Sequence, residues 1–153
     1  MSDALLSLIN GDIEAATALL QLIDDEFQAL QVRDLGQLQK LLDRKLPLLQ
    51  QLERNGRERS LALQQAGVSV DREGLAQLAQ ASGNGELLAR GDELAALLDQ
   101  CQEANQRNGK IIRAGQASTG RLLDILRGQD TPNLYDRRGG ATQSSRQRPL
   151  SQA

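Results

Sequence analysis

The side chains that most often carry chemistry are nearly missing from this chain. It has no histidine and a single cysteine, Cys101. That leaves no imidazole to serve as a general base or metal ligand, and no partner for an intramolecular disulfide. Metal-site spacings require clustered Cys or His, so no metal centre is expected. Carboxylates are plentiful, and Asp24-Asp25-Glu26 forms the densest run. General acid–base work needs a pKa shifted by burial or by a close like charge, whereas a charge run on a helix is ordinarily solvated. Gly83 and Gly85 precede a helical stretch, but no Lys-Ser/Thr follows them, so no phosphate-binding loop is present. These residues do not point to an enzyme, and no cofactor is expected.

The informative spacing lies between Glu86 and Arg127. Leu87, Gly91, Leu94, Leu98, Cys101, Asn105, Asn108, Ile112, Gly115, Thr119, Leu122 and Leu126 follow one another in steps of four and three. That is the seam of one long α-helix, roughly 60 Å in length at ~1.5 Å per residue. Its ends are leucine-rich and its middle is polar or small, centred on Asn105-Gln106-Arg107-Asn108-Gly109. On this seam Cys101 reads as a small core residue. Asn105 and Asn108 admit two readings. Either they fix helix register at a cost in stability, or the neighbouring helices leave this level uncovered and a partner docks there. Gly91, Gly109, Gly115 and Gly120 each cost about 1 kcal/mol relative to alanine, which calls for close approach or mobility. Beyond the waist, Ile111, Ile112, Leu122, Leu123, Ile125 and Leu126 make a broad apolar face. It can serve as bundle core, or as a seat for one neighbour and one guest helix.

The elements that must support this helix are also legible. Ser2 or Asp3 can cap a first helix running to about Val32. Leu6, Ile9, Ile13, Ala16, Leu20, Ile23, Phe27 and Leu30 form its stripe, with Leu5 and Leu19 on one flank. Asp12, Glu14, Asp24, Asp25 and Glu26 fall off that stripe, which predicts an acidic outer face. Asp34 caps a second helix whose face is Leu35, Leu38, Leu41, Leu42, Leu46, Leu49 and Leu52, extended by Leu61 and Leu63. Pro47 should kink this helix near Arg44, not break it, since the leucine pattern continues. Gly67 to Val70 reads as a connector, Asp71 as the cap of a short helix, and Ser82 to Gly85 as a loop. Gly128 and Pro132 should stop the long helix.

Leucine, alanine, glutamine and arginine favour helix, β-branched residues are sparse, and aromatics make up 1% of the chain. The expected fold is therefore all-α: an elongated antiparallel bundle of three long helices plus one short helix, with a C-terminal tail. The bundle should occupy residues 1–128 and a flexible tail residues 129–153. The net charge of −2 gives no general attraction to nucleic acid. After Arg127 the chain carries four arginines against two aspartates. No unbroken apolar run is long enough to predict a membrane span, and the acidic N-terminus does not resemble a secretory signal. The missing disulfide suits a reducing cytoplasm.

The pattern Asn105-x-x-Asn108-Gly109-x-Ile111-Ile112 in a long C-terminal helix ending in Leu122-Leu123-x-x-Leu126 resembles the FlgN family, as do Leu134-Tyr135 with Gly139-Gly140 and Lys45 before Leu46, Leu48 and Leu49. The resemblance covers nearly the whole chain, with Asn-x-x-Asn-Gly its most specific part. It implies a cytoplasmic chaperone of flagellar type III export, without enzymatic activity. Its expected partners are the two hook–filament junction proteins, bound through their C-terminal helical regions, and the membrane export gate. Membrane contact would then come only through the export apparatus. By motif match, Asn105, Asn108, Ile112, Leu122, Leu123 and Leu126 would bind the client, and Tyr135 would dock to the gate. Asp136 stands where the family commonly has glycine. A different class of reading is a structural coiled-coil subunit that associates with its own copies.

Overall fold

The structure is a computed structural model and describes residues 2–127, apart from the side chains of Ser118, Thr119, Leu122 and Arg127. The described residues form four helices and no strand: α1 (Ser2–Val32), α2 (Leu35–Gln65), α3 (Arg72–Ser82) and α4 (Gly85–Arg127). The all-α bundle expected from composition is the fold observed. The stop at Gly128 and the tail of 129–153 lie outside the described residues. Residues fall into two compact units, Met1–Ala104 and Asn105–Ala153.

Helix boundaries follow local chemistry. Arg33 takes φ 58°, and the amide of Asp34 then donates to Ala29 O at 2.9 Å, closing α1 as a left-handed residue usually does. Asp34 caps α2 by accepting from the Gln37 amide at 3.0 Å. α2 runs unbroken through Pro47. Asp71 caps α3, accepting from the Gly74 amide at 2.9 Å and from Ser69 Oγ at 2.6 Å. A Cβ at Gly74 would lie 1.7 Å from Ser69 O, so the connector folds over a position only glycine can fill.

The core of the first unit corrects two sequence readings. The buried side of α1 is centred on Leu5, Ile9, Ala16, Leu19 and Ile23, rotated from the stripe expected, with Leu6, Leu20, Phe27 and Leu30 only half-buried. This rotation brings Asp12 and Glu26 inside, not onto the acidic outer face where their spacing put them. Asp12 pairs with Arg59 of α2 and accepts from Asn55 Nδ2 at 2.8 Å. Glu26 pairs with Lys45 Nζ at 3.0 Å. The second correction is on α2: of its expected leucine face only Leu41 and Leu63 are fully buried, while Leu35, Leu42, Leu46, Leu49 and Leu61 are exposed. Carrying a face wider than its neighbours can cover, α2 spends its inward positions on Lys45, Asn55 and Arg59.

α1 is long and apolar enough to cross a membrane by length and composition. Its apolar side is accounted for as bundle core, and two of its inward positions are carboxylates in ion pairs.

Breaking the Asp12 pair leaves a mostly enclosed guanidinium without its counter-charge. Asp12→Ala should lower unfolding free energy in urea by about 3 kcal/mol, whereas joint replacement of Asp12 and Arg59 by leucine should cost far less.

Candidate functional site

Three apolar clusters make up the described core, and every member lies between Leu5 and Ala104. α4 supplies Leu87 and Leu94 to the first of them, and Cys101 and Ala104 to the second. Cys101 Sγ donates to Ala16 O at 3.5 Å, and burial pushes the thiol up, against a smaller opposing effect of Lys45. A neutral, enclosed thiol is a packing group, not a nucleophile.

The remainder of α4 contributes nothing to those clusters. Of the residues expected to bind a partner, Asn108 is buried and accepts from Arg107 Nε at 3.1 Å, while Asn105 is half-buried. Ile112 is 47% exposed, Leu123 42% and Leu126 73%. Ile125, part of the broad apolar face but outside the expected set, is 74% exposed. The side chain of Leu122 and all of Tyr135 lie outside the described residues. By helical register the positions 105, 108, 112, 122, 123 and 126 fall within an arc of roughly 100° at ~100° per residue. Past Asn108 the described side chains on this arc, Ile112, Leu123 and Leu126, are aliphatic and open to solvent.

Glycines along α4 divide by environment. A Cβ at Gly91 would sit 2.4 Å from Leu75 Cδ2, so this glycine lets α3 pack closely on α4. At Gly115 nothing lies within 4 Å. Close approach explains the first, whereas no neighbour among the described residues of this chain requires the second.

Sequence reasoning missed a cleft in the first unit. It holds about 300 Å³ and is lined by Leu5, Ile9, Leu63, Leu75, Leu94 and Leu98, with Arg59, Asp71 and Arg72 also contributing. Arg72 closes on Asp92 through Nε–Oδ1 and Nη2–Oδ2 contacts of 2.8 and 2.9 Å. Hydrogen bonding from Arg72 holds the Asp92 carboxyl below the ordinary range, and the Ser69 hydroxyl followed by the Gly74 amide does the same for Asp71. Its walls draw on all four helices, so no local signal announces it. No cluster of Cys, Asp or Glu suited to a metal ion occurs among the described residues.

Comparison with known proteins bears on what such an open half-helix does. The family model described as FlgN protein matches residues 1–143. The chain belongs to the FlgN family. A crystal structure of a Pseudomonas aeruginosa protein described as a flagella synthesis protein, FlgN, is 60% identical. The match covers 80% of this chain and 95% of that one, with a TM-score of 0.69. No curated protein matches. The FlgN family places the chain in flagellum biogenesis.

Gly115→Ala should raise stability by about 1 kcal/mol through helix propensity, whereas Gly91→Ala should lower it by about 1–2 kcal/mol by displacing Leu75; chemical denaturation reads both. Because Asp71 and Asp92 ionise more readily folded than unfolded, their support of α3 is complete above about pH 4 and lost as pH falls through the depressed folded values. The Gly74 amide resonance should titrate with a midpoint below that pH, and Asp71→Asn should abolish the titration.

Proposed function

We propose that this FlgN-family chain is a cytoplasmic export chaperone. It binds the C-terminal helical regions of the two flagellar hook–filament junction proteins, keeps them from associating early, and delivers them to the type III export gate. The observation carrying this reading is the exposure of Ile112, Leu123, Ile125 and Leu126 on a half-helix that the described core does not use. Four large aliphatic side chains left open on one helix favour a partner that buries them. A client segment that will later build an amphipathic helical assembly exposes leucines of its own, and helix-in-groove packing covers both surfaces.

In this reading Asn105, Asn108, Ile112, Leu122, Leu123 and Leu126 form the client-binding set, and Tyr135 contacts the export gate. Asn108 and Asn105 set where the client begins: an aliphatic guest side chain placed against a buried amide loses its packing partner, so the guest register is constrained toward the C-terminal leucines. The chaperone needs no catalytic group for this work.

Replacing Leu122, Leu123 and Leu126 together by serine or asparagine should abolish binding of a purified junction protein in titration calorimetry, with circular dichroism unchanged. Undiminished affinity would remove the site assignment. A stable high-order homo-oligomer in sedimentation, with no affinity for junction proteins, would favour a self-associating structural subunit instead.

A further inference from the structure

Charge along this chain divides sharply between the two compact units. Residues 1–104 hold nine Lys and Arg against seventeen Asp and Glu, a net −8; residues 105–153 hold nine against three, a net +6. Much of the positive charge sits on the described half-helix itself: Arg107, Lys110, Arg113, Arg121 and Arg127 against Asp124. Lys110, Arg113 and Arg121 are exposed. By register these five basic positions occupy one arc of roughly 160°, Ile111, Ile112, Leu123 and Leu126 occupy an opposite arc of roughly 120°, and Ile125 falls at the boundary in line with Arg107, at ~100° per residue. The half-helix is thus amphipathic in both senses, aliphatic on one side and cationic on the other.

We propose that residues 105–127 of α4 form a direct docking helix for an anionic lipid bilayer surface. A helix with a wide aliphatic arc and a Lys/Arg-rich opposite face lies in the plane of the membrane interface, its apolar side at the acyl boundary and its cations among the headgroups. Long basic side chains reach around the helix to anionic phosphates while their stems stay in the apolar layer. This occupant uses both arcs together. A nucleic acid has no use for the aliphatic arc, and a single helical partner seated on that arc leaves Lys110, Arg113 and Arg121 facing away from it. The rest of the chain opposes such binding, since −8 on residues 1–104 is repelled by an anionic surface. The contact is therefore confined to the C-terminal half of α4 and should weaken steeply with salt. It goes beyond the chaperone reading, in which the membrane is reached only through the export apparatus.

The test uses the full chain in co-sedimentation with vesicles of equal phosphatidylglycerol and phosphatidylcholine, against vesicles of phosphatidylcholine alone, at low and physiological salt. Binding is expected to the anionic vesicles only, and to fall as salt rises. The triple variant Lys110→Gln, Arg113→Gln, Arg121→Gln should weaken it about a hundredfold, and Ile125→Asn about tenfold or more. Lys110, Arg113 and Arg121 lie outside both the client-binding set and the exposed aliphatic residues that carry the chaperone reading, so calorimetry with a junction protein on the triple variant separates failure of this proposal from failure of that reading. No binding to anionic vesicles at low salt overturns the proposal, including the case in which an acidic protein partner is captured instead. Equal binding to neutral vesicles also overturns it, as does anionic binding indifferent to Ile125→Asn, which would be mere counterion adsorption.

Discussion

Two buried ion pairs between α1 and α2 set the frame of this molecule. Asp12 meets Arg59 and Glu26 meets Lys45, so the acidic members are fourteen residues apart on one helix and the basic members fourteen apart on the other. Fourteen residues are two heptads, so both pairs lie on the same antiparallel seam. A described core built mainly of leucine, isoleucine and alanine, with no fully buried aromatic ring, specifies register weakly, because one aliphatic layer replaces another at little cost. Sliding α2 along α1 by a heptad would unpair four charges at once, with Asp12 fully enclosed. Such pairs add little net stability, but breaking one is expensive, and that asymmetry is what selects a single alignment.

With the alignment held in this way, the described apolar core closes without any residue beyond Ala104. α4 is thereby a helix with two occupations. Its first half contributes Leu87, Leu94, Cys101 and Ala104 to the packing of the first unit. Its second half keeps the large aliphatic side chains of Ile112, Leu123, Ile125 and Leu126 in solvent. Asn108 marks the change, a buried amide where the apolar seam stops.

Much of this was legible in the sequence. The starts of α2 and α3 stand where Asp34 and Asp71 announce them, and the break between α3 and α4 falls within the stretch from Ser82 to Gly85 read as a loop, all through local chemistry. The inward turn of Asp12 and Glu26 was not legible, since a carboxylate between apolar residues at helical spacing reads as surface unless its cation is known. Those cations, Arg59 and Lys45, lie 47 and 19 residues away. The α2 leucines misled for a related reason: a repeat shows which positions are alike, not how many of them neighbours can cover. Gly91 and Gly115 look identical in sequence and differ only in that Leu75 stands over one of them. The aliphatic arc of α4 was visible as a pattern, but whether it served as core or as open surface was decided only by packing.

Membership of the FlgN family places the chain in flagellum biogenesis, and the second half of α4, like part of the α2 leucine face, leaves aliphatic side chains exposed. The most direct measurement is hydrogen–deuterium exchange on the full chain, alone and saturated with a junction protein. The account predicts that residues 105–127 exchange quickly in the free protein and become protected on binding, while α1 and α2 keep their protection throughout. Protection gained in α1 or α2, with 105–127 unchanged, would contradict it.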